Sequence, residues 1–119
     1  MSTMYFLKPI SIECIDQNEI SQDEPYLLFN GTRIWSGDMS QGQSIRLDYL
    51  DAIPFGQGGA ATLSLYEDDG DHWYDRNDYI GSTRLSGAQE PGGAFSRDFT
   101  GGDAHYRVYM DVQRASTPV

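Results

Sequence analysis

The 119-residue chain is short of cysteine, of basic residues and of long apolar runs, and each shortage removes a class of protein. Cys14 is the only cysteine, so no disulfide scaffold can form within the chain. Zinc needs clustered thiolate or imidazole ligands, and one Cys with two separated histidines, His72 and His105, does not supply them. No stretch approaches the roughly 20 apolar residues of a membrane span. The opening residues, Met1 to Pro9, lack the basic head and apolar run of a secretory signal, so a reducing, cytoplasmic location is expected. Eight bases face 18 acids, a net charge of −10, which repels nucleic acid and anionic membranes unless a cation intervenes. Catalytic signatures are missing as well. There is no Gly-x-Ser-x-Gly elbow and no glycine-rich phosphate loop ahead of a helix. A carboxylate pair such as Asp68 with Asp78 has no flanking sequence that shapes a cleft, so the chain reads as a non-enzyme.

Helical periodicity is absent too, and what is present is strand pattern. Short apolar runs rich in β-branched and aromatic residues are bounded by Gly, Pro, Asn and Asp. Ile10, Ile12 and Cys14 alternate with Ser11 and Glu13; Ile45, Leu47 and Tyr49 alternate with Arg46 and Asp48; Leu63 and Leu65 alternate with Ser64 and Tyr66. Asn30-Gly31, between Tyr26–Phe29 and Arg33–Trp35, predicts a tight hairpin because both residues tolerate positive φ. Trp35 reads as a core or edge anchor. A run over Tyr79–Leu85, a weak one over Ala94–Phe99 and a final one at Tyr106–Asp111, with either face inward, bring the count to about eight. Evenly spaced strands without helices between them predict an all-β, eight-stranded antiparallel β-sandwich. Residues 1–112 form one expected domain, with linkers at Ile53–Gly59 and Ser86–Gly93, one helical turn at most over Ser86–Glu90, and a flexible tail over 113–119.

The acids are concentrated. Two twelve-residue windows, 13–24 and 67–78, hold eleven of the eighteen, opposed only by Arg76, and each falls between strands. Carboxylates at that density repel one another unless they are solvated or share a cation. Calcium, a hard ion taking six to eight oxygens, suits such loops. The EF-hand fails on spacing: counted from Glu67, the glycine position is His72 and the closing Glu position is Asp78.

The residue order resembles a C2 domain, a calcium-binding β-sandwich. The family enters a strand through Asp-Pro-Tyr after its first calcium loop; here the stretch is Asp23-Glu24-Pro25-Tyr26-Leu27. Its third loop leaves a strand at an aromatic residue before Asp-x-Asp and closes with Asn-Asp-aromatic-aliphatic-Gly. This chain has Tyr66-Glu67-Asp68-Asp69, then Asn77-Asp78-Tyr79-Ile80-Gly81. The resemblance implies Asp16 and Asp23 or Glu24 as first-loop calcium ligands. It implies Glu67, Asp69 and Asp78 in the third loop, with Asp68 and Asp71 near enough to substitute. Glu24 and Glu67 stand where the family has Asp, and the third loop is longer than usual.

Trp73 and Tyr74 fall at the inferred tip of that third loop. They fold back over its base, stack on a sugar, or enter a lipid interface once calcium bridges it. With only Arg33 and Arg46 to meet headgroups, membrane contact is not expected, and any contact would depend on calcium. The resulting expectation is a small acidic protein whose two loops hold one or two Ca²⁺, for buffering or calcium-dependent recognition. Two other readings stand beside it: a metal-independent protein-interaction module, and a carbohydrate-binding sandwich with structural calcium.

Overall fold

The computed structural model describes residues 2–17, 23–55, 60–68, 78–87 and 93–117. These form nine strands and no α-helix: β1 (Ser2–Asp16), β2 (Pro25–Phe29), β3 (Thr32–Ser36), β4 (Ser44–Arg46), β5 (Ile53–Pro54), β6 (Ala60–Glu67), β7 (Asp78–Ser86), β8 (Phe95–Gly101) and β9 (Ala104–Thr117). One sheet runs β4-β1-β9-β8, with β5 also paired to β1, and the other runs β3-β2-β6-β7. All the pairings are antiparallel. The all-β antiparallel sandwich expected from the sequence is the one observed, with nine strands where eight were counted. The extra strand is β5: Ile53 and Pro54, read as the start of a linker, pair with Leu7 and Phe6 of β1.

The strands assemble where alternation gives them an apolar face. Ala61, Leu63 and Leu65 of β6 point inward with Leu27 and Phe29 of β2, and meet Tyr106, Val108, Met110 and Val112 of β9. Each buried leucine-sized side chain stabilises by about 1.5–3 kcal/mol. The tertiary fold thus selects the Tyr106–Val108–Met110 face of the last strand, a choice the sequence leaves open. Trp35 joins the core. The Asn30-Gly31 hairpin forms as expected, with φ of 50° and 86°. It is tied to β6: the Asn30 N–H donates to Thr62 O and the Thr62 N–H donates to Asn30 Oδ1, both at 2.9 Å.

Three local departures have physical causes. Pro9 brings no N–H to the ladder, and the β1–β9 register shifts between Pro9 and Ser11. That bulge moves the inward face from Leu7 and Pro9 to Ile12 and Cys14, and leaves Ile10 half-buried. The run expected through Tyr49 stops as strand at Arg46. Leu47 is fully buried and its N–H donates to Ile10 O, but the chain then turns, and Lys8 Nζ donates to the carbonyls of Asp48 and Leu50. Tyr49 is left 67% exposed. Residues 113–117, assigned by the sequence to the tail, pair in β9 with residues 2–6 of β1. The helical turn expected over Ser86–Glu90 falls in part outside the described residues; Ser86 itself ends β7.

Cys14 is wholly buried, and burial pushes its thiol above the ordinary value. A chromogenic disulfide reagent is therefore expected to label no thiol in the native protein and one per chain in denaturant. Prompt labelling of folded protein would contradict this burial.

Candidate functional site

Antiparallel pairing draws the acidic strand ends together. β2 begins beside the end of β6, with Pro25 opposite Glu67, and β7 begins on the other side of β6, with Asp78 opposite Glu67. The Asp68 N–H donates to Glu24 O at 2.9 Å, fastening the two acidic segments to each other. The β3–β4 connection closes over the same end. Asp23 and Met39 exchange backbone hydrogen bonds at 2.9 Å, the Gly42 N–H donates to Cys14 O, and the Gln41 N–H donates to Gln17 Oε1. Asp16, the last residue of β1, is exposed beside that connection. Asp16, Asp23, Glu24, Glu67, Asp68 and Asp78 thus sit on strand ends gathered at one end of the sandwich.

Their side chains differ in setting. Asp23 is 0% exposed and accepts a hydrogen bond from the Tyr106 hydroxyl at 2.7 Å, across the interior from the opposite sheet. Burial first, and the Asp23 hydrogen bond second, push the Tyr106 phenol far above its ordinary pKa. Glu67 is 1% exposed because strand alternation puts it in phase with Leu63 and Leu65. The Glu24 N–H donates to Glu67 Oε1 at 3.3 Å. Glu24 is exposed and Asp68 is half-buried. Between Asp23 and Glu24, Asp23 is the one that turns into the protein. Buried carboxylates are retained only when hydrogen-bonded or paired, so Asp23 and Glu67 are built into the base of the acidic end and do not merely decorate it.

Among the described residues, no three His, Cys, Asp or Glu side chains converge closely enough to hold a metal ion. Asp69, Asp71, His72, Trp73 and Tyr74 lie outside the described residues, and of Asp78 only the backbone is described. His105 sits on β9 with its Nε2 3.2 Å from Asp98, whose carboxyl is held below its ordinary value chiefly by the Arg107 guanidinium. The two arginines weighed for lipid contact are on different sheets: Arg33 on β3, and Arg46 on β4 in an ion pair with Asp48.

Sequence reasoning missed a second feature at this end. A pocket of about 140 Å³ is lined by Glu24, Tyr26, Arg33, Asp38 and Asp68, among others. Asp38 lies outside both acidic windows. Its proximity to Glu24 and Asp68 follows from the β2–β3 hairpin returning to the same end, with the Gly37 N–H donating to Pro25 O. Among the described residues, no helix is long and apolar enough to cross a membrane.

Similarity to solved structures extends over nearly the whole chain. One, described as a C2 domain, superposes with a TM-score of 0.53 at 8% identity, covering 96% of this chain and 99% of that one. Another, a C2 domain of a plant extended synaptotagmin 1, superposes with a TM-score of 0.51 at 8% identity, covering 96% of each. No protein-family model matches the sequence, and no curated protein does. At this identity the likeness is one of fold: the chain has a C2-like β-sandwich fold.

Proposed function

We propose that this protein is a calcium-binding module in which one or two Ca²⁺ ions are held between the loops at the acidic end of the sandwich, for calcium buffering or calcium-dependent recognition. The observation that carries the reading is the gathering of acidic strand ends from β1, β2, β6 and β7 at one end of a C2-like fold. The donor chemistry fits: the candidates are all carboxylates, the hard oxygen ligands calcium takes, with no thiolate or imidazole among them. Asp16, Glu24 and Asp68 supply oxygens accessible from solvent, and Asp69, Asp71 and Asp78 would complete the set from the third loop. Asp23 and Glu67 act from beneath. Asp23 has one oxygen engaged by Tyr106, and Glu67, at the end of β6, accepts the Glu24 N–H.

The ion's contribution is charge neutralisation. A bound ion would offset the mutual repulsion of the carboxylates from Asp16, Glu24 and Asp68, and would draw in Trp73 and Tyr74 if they stand at the tip that the resemblance implies. No catalytic step is assigned, and the reading is that of a non-enzymatic, soluble, cytoplasmic binding module.

A thermal melt of chelator-stripped protein, titrated separately with Ca²⁺ and Mg²⁺, tests this. At about 100 times its Kd, an ion that binds only the native state stabilises it by roughly 2.7 kcal/mol, several degrees in midpoint for a chain of this length. The expected result is a saturable rise with Ca²⁺ that Mg²⁺ does not reproduce and that Asp78→Asn removes. No shift at millimolar Ca²⁺ would overturn the proposal and leave the acids as solvating charge.

A further inference from the structure

The outer face of the four-stranded sheet carries a feature the calcium reading does not use. Tyr26, Tyr66 and Tyr79 occupy successive register positions on β2, β6 and β7. Because Leu27 and Leu65 face the core, their neighbours Tyr26 and Tyr66 stand on the other side of the sheet. Tyr26 stacks on Tyr66 with ring centroids 5.5 Å apart and planes at 11°, and Tyr66 meets Tyr79 edge-on at 5.2 Å and 60°. Tyr26 is buried yet outside the hydrophobic core, covered by this row and by Arg33, whose guanidinium carbon lies 3.9 Å over its ring. At the far end Tyr79 is 53% exposed, one of two large aromatic side chains so open among the described residues.

Tyr26, at one end of the row, lines the 140 Å³ pocket, together with residues at the ends of β2, β3 and β6. Among the described residues three acids, Glu24, Asp38 and Asp68, and one base, Arg33, line it, in a protein of net charge −10. Electron-rich ring faces beside excess carboxylate attract an organic cation, and Arg33 over Tyr26 already displays that geometry within the chain. An anionic headgroup or phosphate would meet net repulsion there.

We propose that this face docks a basic segment of a partner protein. An arginine or lysine of the segment enters the pocket beside Asp38, and a neighbouring side chain lies along Tyr66 and Tyr79. Tyrosine and arginine are the side chains on which interfaces most often concentrate binding energy. Glu24 and Asp68 also belong to the calcium reading, so the docking is tested in chelator, where its failure and that of the calcium reading are separately visible.

The test is fluorescence anisotropy of a labelled Gly-Ser-Arg-Gly-Arg-Ser-Gly peptide, in chelator and at about 150 mM salt, where exposed charges more than about 8 Å apart are largely screened. The expected result is saturable binding, weakened about threefold by Asp38→Asn and by Tyr79→Ala, and about tenfold by the pair. Asp51→Asn removes the same charge from an exposed site elsewhere and is expected to change nothing. Asp38 and Tyr79 are solvent-accessible, so these variants are expected to fold, and a melt of each checks it. Absence of saturable binding overturns the proposal. So does equal weakening by Asp51→Asn, which would reduce the effect to bulk charge, and so does equal binding of a peptide with glutamate in place of arginine.

Discussion

Replacing Tyr106 by phenylalanine is expected to destabilise the protein by about 1.5–3 kcal/mol, because the buried Asp23 carboxylate loses the hydroxyl that reaches it at 2.7 Å. The ring itself still fills its place between Cys14 and Phe99, its register partners on β1 and β8, so the loss isolates the hydroxyl's hydrogen bonds, with Asp23 and with Cys14, from the packing. Urea denaturation should show a lower midpoint with an unchanged slope. A change under about 0.5 kcal/mol would mean that Asp23 is satisfied without the phenol.

The same residue carries a pH signature. Its phenol pKa is raised in the folded state by burial and then by Asp23, so native Tyr106 keeps its proton where the unfolded chain releases it. A group with a raised folded pKa contributes stability that is present below the unfolded value, near pH 10, and lost as pH rises past it. Above that point the wild type should lose up to about 1.4 kcal/mol per pH unit from this residue. Tyr106→Phe should be flatter by that amount over the same window. Parallel alkaline limbs in the two proteins would refute the assignment.

The second large effect is expected at Gly101, where the two sheets meet along β7 and β8. A Cβ there would lie 2.4 Å from the backbone oxygen of Ile80. A backbone carbonyl cannot swing aside as a side chain can, so Gly101→Ala must push β8 away from β7 or strain both. Overpacking of this kind costs about 1–3 kcal/mol, against a total stability on the order of 5–15 kcal/mol. Thr100→Ala, at the exposed neighbouring position, should stay within about 0.5 kcal/mol. If Gly101→Ala melts with the wild type, the close approach of the two edges is wrong.

Legibility followed the range of the interactions. The hairpin at Asn30-Gly31 was readable because tolerance of positive φ is a local property of Asn and Gly. Strand existence was readable from alternation, and so was the burial of Leu63 and Leu65. The same alternation carried one residue further puts Glu67 inside, a step that charge alone argues against. Element lengths were less readable. β1 and β9 are longer than their apolar runs because each is the other's hydrogen-bonding partner, and β5 exists only because Phe6 and Leu7 offer it an edge. The bulge after Pro9 inverted the face of β1, and that inversion depends on the register with β9.

By itself the sequence determined the all-β class, the turn chemistry, the excess of acid in two windows, and the resemblance to C2 domains that the fold bears out. Those properties are composition and short-range pattern, and they survive in an extended chain. Only the tertiary structure decided that Asp23 turns inward to Tyr106, 83 residues away, while Glu24 remains at the surface. Only it set three tyrosines from three strands in one row and brought Asp38 beside Glu24 and Asp68. The physical reason is that antiparallel pairing makes neighbours of residues distant along the chain. Which carboxylates are buried, paired or open to a ligand is then set by those neighbours.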